Sequence, residues 1–385
     1  MKMKYVKITA AIITAVLILG TNTNVFSLGL FKFFSDTYSV EGLKKIETMD
    51  PDKDILYLPQ LKNKELFKSV RDLSICREKS VRKYIYMYLT QGREYMIRSI
   101  EGANKYMEIM KPIFKKEKDI PIEVAFLPLL ESGFSPWAVS RTKATGMWQF
   151  TYNTSQIFGM KINNYVDERR NVEKSTKAAI RHLRYLKTTF KTWDLVLAAY
   201  NGGGGYVRRA MNKSGAKNIW QLREAGVLKW ETNEYVPRYL AMLVIYRNQW
   251  LFGLKDEIKK TKSPNLGTIT LPYTVPLENI AKLSNISVKD ILKHNPELNK
   301  GVLPPGQKNY IIKLPEENAD ILMDKIKELY PKEFSSIEIH IIKKGETLGS
   351  IAKIYNSSSK EIKYINNIAS PRHLKAGCRL IILSK

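Results

Sequence analysis

Apolar positions recur in several distinct rhythms along this chain, and each predicts a different kind of segment. Residues 8–19 form an unbroken weakly polar to apolar run, preceded by Lys2, Lys4 and Lys7 and followed by small and polar residues. That order describes a secretory signal over 1–27, because a run this short falls well below the ~20 residues of a membrane span. Val25 and Ser27 stand three and one residues before a cleavage point after Ser27. The alternative is an uncleaved signal, extended by Phe26, Leu28, Leu30 and Phe31, which would leave residues 1–34 as a membrane anchor. No cysteine follows the run, so lipoprotein processing is not expected. Residues 28–118 are polar-rich with helical spacing at Val81, Ile85 and Leu89, then at Met96 and Ile100, and predict a helical N-terminal region. Residues 119–254 form a second unit, with helical patterns at Ile180, Leu183, Leu186 and Phe190 and at Tyr239, Met242, Leu243 and Tyr246. Between those patterns, four consecutive glycines at 202–205 predict a loop, since no helix interior tolerates them. Residues 255–272 contain KKTKSPN, break the periodicity and read as a linker across which few contacts should pass.

Beyond the linker the chain repeats itself at an offset of 71 residues. Ile280-Ala281-Lys282 meets Ile351-Ala352-Lys353, and Asn285, Ser287, Lys289, Ile291 and Asn295 meet Asn356, Ser358, Lys360, Ile362 and Asn366. Tyr273-Thr274-Val275 aligns with His340-Ile341-Ile342 only at an offset of 67, which predicts opening strands there and a turn four residues shorter in the first copy. Each copy, 273–315 and 337–385, reads strand, helix, helix, strand. The second copy resembles the LysM glycan-binding module in its KKGETLGSIAKIY opening, in Asn366 and in Ala376-Gly377 before the last strand. The resemblance implies a glycan groove at Gly345, Glu346, Thr347 and Leu348 together with Asn366, Asn367 and Ile368. The first copy reads as a degenerate relative acting as a spacer.

Composition narrows the partners. A formal charge of +26 favours a polyanion, and export would leave cell envelope in reach rather than nucleic acid. Cys76 and Cys378 lie too far apart for a local metal or redox pair, and His182, His294, His340 and His373 stand singly. No metal and no cofactor is expected.

The chemistry concentrates between 121 and 240. Glu131 follows Phe126, Leu127, Leu129 and Leu130, company that desolvates a carboxyl group and raises its pKa toward the range of a general acid. Downstream come Gly146-Met147-Trp148-Gln149-Phe150, then Ala198-Ala199-Tyr200-Asn201-Gly202, then Glu231-Thr232-Asn233-Glu234-Tyr235-Val236-Pro237. In this order and spacing, ESGFSPWAVSRTKATGMWQF, AAYNGG and ETNEYVPRYLAM resemble the lytic transglycosylases with a lysozyme-like domain, over about 80–314, with 337–385 added by the LysM module. The resemblance implies a mainly α chain: a goose-type, lysozyme-like SLT domain at 119–254, followed by small α+β modules of βααβ order.

It also implies roles. Glu131 would be the only catalytic acid and base, with Tyr200 hydrogen-bonded to it. Ser132 would hold the polysaccharide, Met147 and Gln149 would line the sugar groove, and Gly146 would let the glycan chain approach closely. Asn201 would hold the loop or the substrate, and Tyr235 would close the site from the opposite wall. Gly203, Gly204 and Gly205 depart from the usual pattern and imply a more mobile loop. Trp137, Trp148 and Tyr206 are candidates for sugar stacking or for core packing.

Counting carboxylates gives an independent check, because an ordinary glycosidase uses two. Between 121 and 206 the acids are Glu123, Glu131, Asp167, Glu168, Glu173 and Asp194, and only Glu131 falls inside a motif. Asp167 beside Arg169 and Arg170 reads as a structural ion pair. A one-carboxylate site needs a substrate that supplies its own nucleophile, as the 2-acetamido group of N-acetylmuramic acid in peptidoglycan does. The expected partner is therefore the peptidoglycan glycan strand, cut with formation of a 1,6-anhydro ring. Protein partners are not indicated. Two alternatives remain: a non-catalytic wall-binding scaffold on the same fold, and a hydrolysing muramidase.

Overall fold

The structure is a computed structural model of the 385-residue chain and describes residues 65–71, 74–259, 265–271, 274–305, 310–325, 336–366, 368, 370 and 374–384. The expected signal at 1–27, the anchor alternative at 1–34 and Asn367 lie outside the described residues. Among those described, no helix is long and apolar enough to cross a membrane.

Among the described residues, the lead-in helices are α1 (Glu65–Arg71), α2 (Lys79–Leu89) and α3 (Arg93–Lys115). The spacing of Val81, Ile85 and Leu89 places them on one face of α2, and all three are buried, as are Met96 and Ile100 of α3. A 3-10 turn at Ile122–Phe126 runs into the one-turn helix α4 (Pro128–Glu131). Then follow α5 (Tyr152–Ile157), α6 (Val172–Thr189), α7 (Trp193–Gly202), α8 (Gly204–Ser214), α9 (Ile219–Glu224) and α10 (Trp230–Arg247). Asn171 starts α6 by accepting the Lys174 N–H at 2.9 Å, which answers one of the orphan donors of a helix N-terminus.

Helix α10 is the centre of the fold. From Val236 through Ile245 every residue but Arg238 is buried, so it shows no single apolar stripe. Pro237 lies inside it and has no N–H to give the Asn233 carbonyl; the Arg223 guanidinium donates to that carbonyl instead. Lead-in helix α2 packs along α10 through a buried polar seam. Tyr84 donates to Glu234 at 2.8 Å, and Arg238 donates to the Tyr88 hydroxyl at 3.3 Å.

The four-glycine stretch is not a broad loop. Gly202 ends α7, Gly204 and Gly205 open α8, and Gly203 alone turns between them at φ +89°, a backbone state that costs glycine nothing.

The first C-terminal module pairs β1 (Leu266–Leu271) antiparallel with β2 (Tyr310–Pro315), Leu266 facing Pro315 and Leu271 facing Tyr310. Between them lie α11 (Leu277–Leu283) and α12 (Val288–His294), and α13 (Glu316–Asp324) follows β2. Ala319 of α13 sits against Gly267 of β1, where a Cβ would stand 2.5 Å from the alanine Cβ. This corrects three expectations. The opening strand lies inside the stretch read as linker, and Thr274 and Val275 are not in a strand. The module continues past 315 through a third helix. Five residues separate β1 from α11 and six separate Ser336–Ile341 from Leu348–Ile354 in the second copy, so the expected four-residue deficit comes from misaligned strands; Tyr273 lies outside the described residues.

The second module pairs β3 (Ser336–Ile341) with β4 (Arg379–Ser384), Ser336 facing Ser384, around α14 (Leu348–Ile354) and α15 (Ser359–Ile365). Its core gathers Ile342, Leu348, Ile351, Ile362, Leu380 and Ile382.

Candidate active site

Glu131 is the last residue of α4, and the chain reverses immediately after it. The Ser132 and Phe134 N–H groups both donate to the Pro128 carbonyl, at 3.1 and 3.0 Å, and Gly133 and Phe134 both take φ near +60°. Phe134 and Leu129 are buried, so the turn is pinned from below while the glutamate stands at its rim. Burial pushes the Glu131 carboxyl from its ordinary 4.5 up to about 7. Of the apolar neighbours that predicted this, Phe126, Leu127 and Leu129 are buried and Leu130 is partly buried. Tyr235 pulls the other way: its hydroxyl donates to Glu131 Oε1 at 2.5 Å, a bond that favours the ionised form.

The hydrogen bond expected from Tyr200 therefore comes from Tyr235. Tyr200 does not hydrogen-bond the glutamate; it donates to the Trp148 carbonyl at 2.9 Å, and Tyr235, reaching over from α10, holds Glu131. The His182 ring lies 5.0 Å from the Tyr200 ring, and burial lowers its pKa to about 4, so a neutral imidazole backs this wall.

The 145–150 loop is tied together rather than presented to solvent. Ser132 donates to the Met147 carbonyl at 2.8 Å. The Met147 side chain is fully buried, and Trp148 is buried with its indole N–H on Thr176 at 3.1 Å, so neither can line a groove or stack on a sugar. Gln149 uses its amide on the Gly146 and Ala138 carbonyls, at 2.8 and 3.3 Å. Gly146 is required by protein rather than by ligand: at φ +84° its missing Cβ would stand 2.0 Å from the Arg169 carbonyl. Asn201 accepts from Thr232 at 2.9 Å, locking the end of α7 to α10.

The remaining acids are engaged elsewhere. Asp167 grips Arg169 through both carboxylate oxygens at 2.9 and 2.7 Å, the structural pair expected from the sequence. Glu168 holds Lys174 at 2.6 Å, Glu173 holds Lys313 at 3.0 Å, and Asp194 accepts the Ile219 N–H at 2.8 Å. Glu231, outside the stretch whose acids were counted, is exposed in the first turn of α10 and its charge raises the Glu131 pKa further. Arg238 opposes it. Neither residue carried a sequence signal beyond its place in a motif, because the effect depends on how α10 lies against α4. Of the aromatic candidates, Trp137 is exposed with the Arg170 guanidinium 5.7 Å from its ring, and the Tyr206 hydroxyl accepts the Lys229 N–H at 2.6 Å.

Three family models match the chain in sequence order. A transglycosylase SLT domain matches residues 108–223, the LysM-like domain of lytic transglycosylase MltD matches 265–331, and a LysM domain matches 340–383. The chain carries an SLT domain and two LysM-type domains. It is 30% identical over 285 residues to membrane-bound lytic murein transglycosylase D of two Escherichia coli strains, an overlap of 69% of this chain and 61% of that protein. The chain thus spans less than two thirds of the length of those relatives. It is also 37% identical over 127 residues to a putative tributyltin chloride resistance protein of an Alteromonas species, covering 31% of this chain and 58% of that one. Among solved structures, the 70 kDa soluble lytic transglycosylase of Escherichia coli aligns at 25% identity and a TM-score of 0.32, over 38% of this chain and 24% of that one. The mainly α architecture and the small strand-containing modules are those of an SLT domain followed by LysM domains.

In the second LysM domain the expected binding residues do unequal work. Glu346 accepts the Lys343 N–H at 2.7 Å and faces His340 Nε2 at 2.7 Å, so its carboxylate shapes the turn. Thr347 caps α14 in a reciprocal pair with Ser350. Leu348 is buried in the module's core, and Ile368 packs against that same core. Asn366 donates to the Ile362 carbonyl at 2.9 Å and closes α15. Gly345 sits in the turn at φ +88°.

Proposed function

We propose that the chain is a peptidoglycan lytic transglycosylase that cleaves the β-1,4 bond between N-acetylmuramic acid and N-acetylglucosamine. Glu131 donates its proton to the glycosidic oxygen as that bond breaks, while the 2-acetamido group of the muramic sugar attacks its own anomeric carbon. The resulting carboxylate then takes the proton of the same sugar's 6-hydroxyl, whose oxygen displaces the acetamido group and closes the 1,6-anhydro ring. No water is consumed.

The observation that carries this reading is a single carboxyl, raised to about 7 and held by one tyrosine hydroxyl. At neutral pH such a group is populated in both forms, as one residue serving first as acid and then as base requires. Tyr235 fixes its direction. Gly345, Thr347, Asn366, Asn367 and Ile368 would offer the glycan contacts of the second LysM domain, with Glu346 and Leu348 shaping the turn from within. Export by residues 1–27 to the periplasm or cell envelope, with 1–34 as an anchor if uncleaved, would bring the enzyme to its substrate, and the +26 charge favours the carboxylates of the peptide stems.

A second reading has one observation behind it. Glu231 lies one turn before Tyr235 on α10 and acts on Glu131 through its charge, so it could serve as the second carboxylate of a hydrolase. Mass analysis of muropeptides after digestion decides. Anhydro ends are expected, and they should persist in Glu231→Gln. Reducing ends that vanish in that variant would make the protein a muramidase, and absence of cleavage would make it a scaffold.

A further inference from the structure

The first LysM-like module was expected to hang from a linker, yet it is joined to the SLT domain by an interdigitated seam. The Asp167 N–H donates to the Glu297 carbonyl at 2.8 Å, and the Asn299 N–H returns to the Tyr165 carbonyl at 2.8 Å. Val166 pairs with Leu298 as an isolated bridge, and its side chain belongs to the core of the module rather than to that of its own domain. The Glu297 side chain is buried and accepts from both partners: Asn171 Nδ2 at 2.8 Å from the SLT domain and the Tyr310 hydroxyl at 3.3 Å from β2. Asn299 accepts from Arg170 at 3.3 Å and donates to the Asn163 carbonyl at 3.2 Å. The reciprocal backbone bonds and the buried Glu297 carboxylate hold two surfaces in one register, which a lone, partly exposed ion pair such as Lys313 with Glu173 would not.

The seam lands on a functional segment. Residues 163–171 carry Arg169, whose guanidinium donates to the Lys143 and Phe150 carbonyls at 3.1 and 3.2 Å, and whose own carbonyl fills the space that Gly146 leaves open. The 145–150 loop in turn supplies the Met147 and Trp148 carbonyls to which Ser132 and Tyr200 bond, beside Glu131. A continuous chain of packed backbone and hydrogen bonds thus runs from the module to the glutamate's surroundings.

We infer that the 265–325 module is a positioning subdomain of the SLT domain, with Glu297 as its positioning residue, and not a freely tethered wall binder. It holds the 163–171 segment, that segment holds the 145–150 loop, and wall affinity is left to the second LysM domain. The rate consequence rests on the transglycosylase reading above; the structural coupling does not.

The test uses the full chain. Glu297→Ala removes the acceptor for Asn171 and Tyr310, while Glu297→Gln keeps an oxygen in its place. In Glu297→Ala, amide exchange is expected to quicken about tenfold in 163–171 and also in 143–150, since losing a buried hydrogen-bond partner shifts a local opening by about that factor. The kcat on soluble glycan chains should fall about fivefold to twentyfold with KM within about twofold, because misplaced groups are felt mainly in the transition state. Binding to purified sacculi should stay at the parent level, and Glu297→Gln should restore most of both losses. Faster exchange confined to 163–171 with kcat unchanged would overturn the inference, as would loss of sacculus binding without loss of kcat. Should Glu297→Ala not fold, Asn299→Ala, which loses only the Arg170 and Asn163 contacts, carries the same readouts. A parent chain that cuts no glycan, with exchange still coupled between the two segments, would sink the transglycosylase reading and leave this one standing.

Discussion

Replacing Glu131 by glutamine tests the site through stability as well as rate. In the folded chain burial holds the carboxyl pKa near 7, against an ordinary 4.5. A carboxyl whose pKa rises on folding contributes stability that is fully present below 4.5 and is lost as pH climbs through about 7. At 1.36 kcal/mol per pH unit, that loss amounts to about 1 kcal/mol at pH 5 and about 3 kcal/mol at pH 8. Glutamine cannot ionise and suffers neither loss. The stability of Glu131→Gln relative to the parent should therefore be about 2–2.5 kcal/mol more favourable at pH 8 than at pH 5, roughly 5–10 °C in melting temperature. The pH-dependent part of the Tyr235 hydrogen bond is already contained in the shifted pKa, and the difference between glutamine and the protonated acid is the same at both pH values and cancels. Thermal melts of both proteins at the two pH values, read by circular dichroism, measure this directly. The same raised pKa predicts that kcat/KM of the parent declines as pH rises above about 7, while the variant should lose turnover by at least about a thousandfold at any pH. An identical melting difference at pH 5 and pH 8 would mean that Glu131 ionises as an ordinary exposed glutamate, and the desolvation argument would fall.

Tyr235→Phe removes the hydroxyl that favours the ionised Glu131, so the basic limb of the pH–rate profile should move to higher pH and the rate should fall about tenfold to thirtyfold, or about 1–2 kcal/mol; an unmoved limb would detach Tyr235 from the acid. Gly146→Ala forces a Cβ against the Arg169 carbonyl at a positive φ and should cost about 2–4 kcal/mol in urea unfolding, a cost under 1 kcal/mol meaning that the loop can move away freely. Glu346→Ala leaves the Lys343 N–H and His340 without their acceptor and should weaken sacculus binding about tenfold while turnover on soluble chains stays unchanged; unaltered binding would place the glycan site elsewhere than this turn.

Local pattern carried much of this protein. Val81, Ile85 and Leu89 announced the buried face of α2, the apolar run before Glu131 announced its desolvation, and Asp167 two residues from Arg169 announced their pairing. In each case the deciding neighbours lie within a few residues along the chain, so burial or contact follows from periodicity and reach alone. The repeat was legible for the same reason in its helices, where residues 277–283 and 348–354 keep the same offset. The closing strand at Arg379–Ser384 was legible too, but the first copy's opening strand was misplaced, because a short strand is defined by its partner, and Leu266–Leu271 becomes one only by pairing with Tyr310–Pro315.

What the tertiary structure decided is the choice among equivalent groups. The sequence offered Tyr200 and Tyr235 to Glu131 on equal chemical terms. Only the path of α10, which brings Tyr235 across 104 positions to within 2.5 Å, selects the second. Met147 and Trp148 stand in a motif and yet face inward, since a motif records that residues matter and not which way they point. Glu297, Asn299 and Tyr165 carry no pattern at all: each sits in backbone outside the helices and strands, and their meaning arises when two segments distant in the chain meet. Periodicity encodes which faces are buried, because burying apolar surface is non-directional and needs only the right residue type. Hydrogen bonds need two atoms at a set distance and angle, and for groups far apart in the chain that geometry exists only once the whole fold has formed.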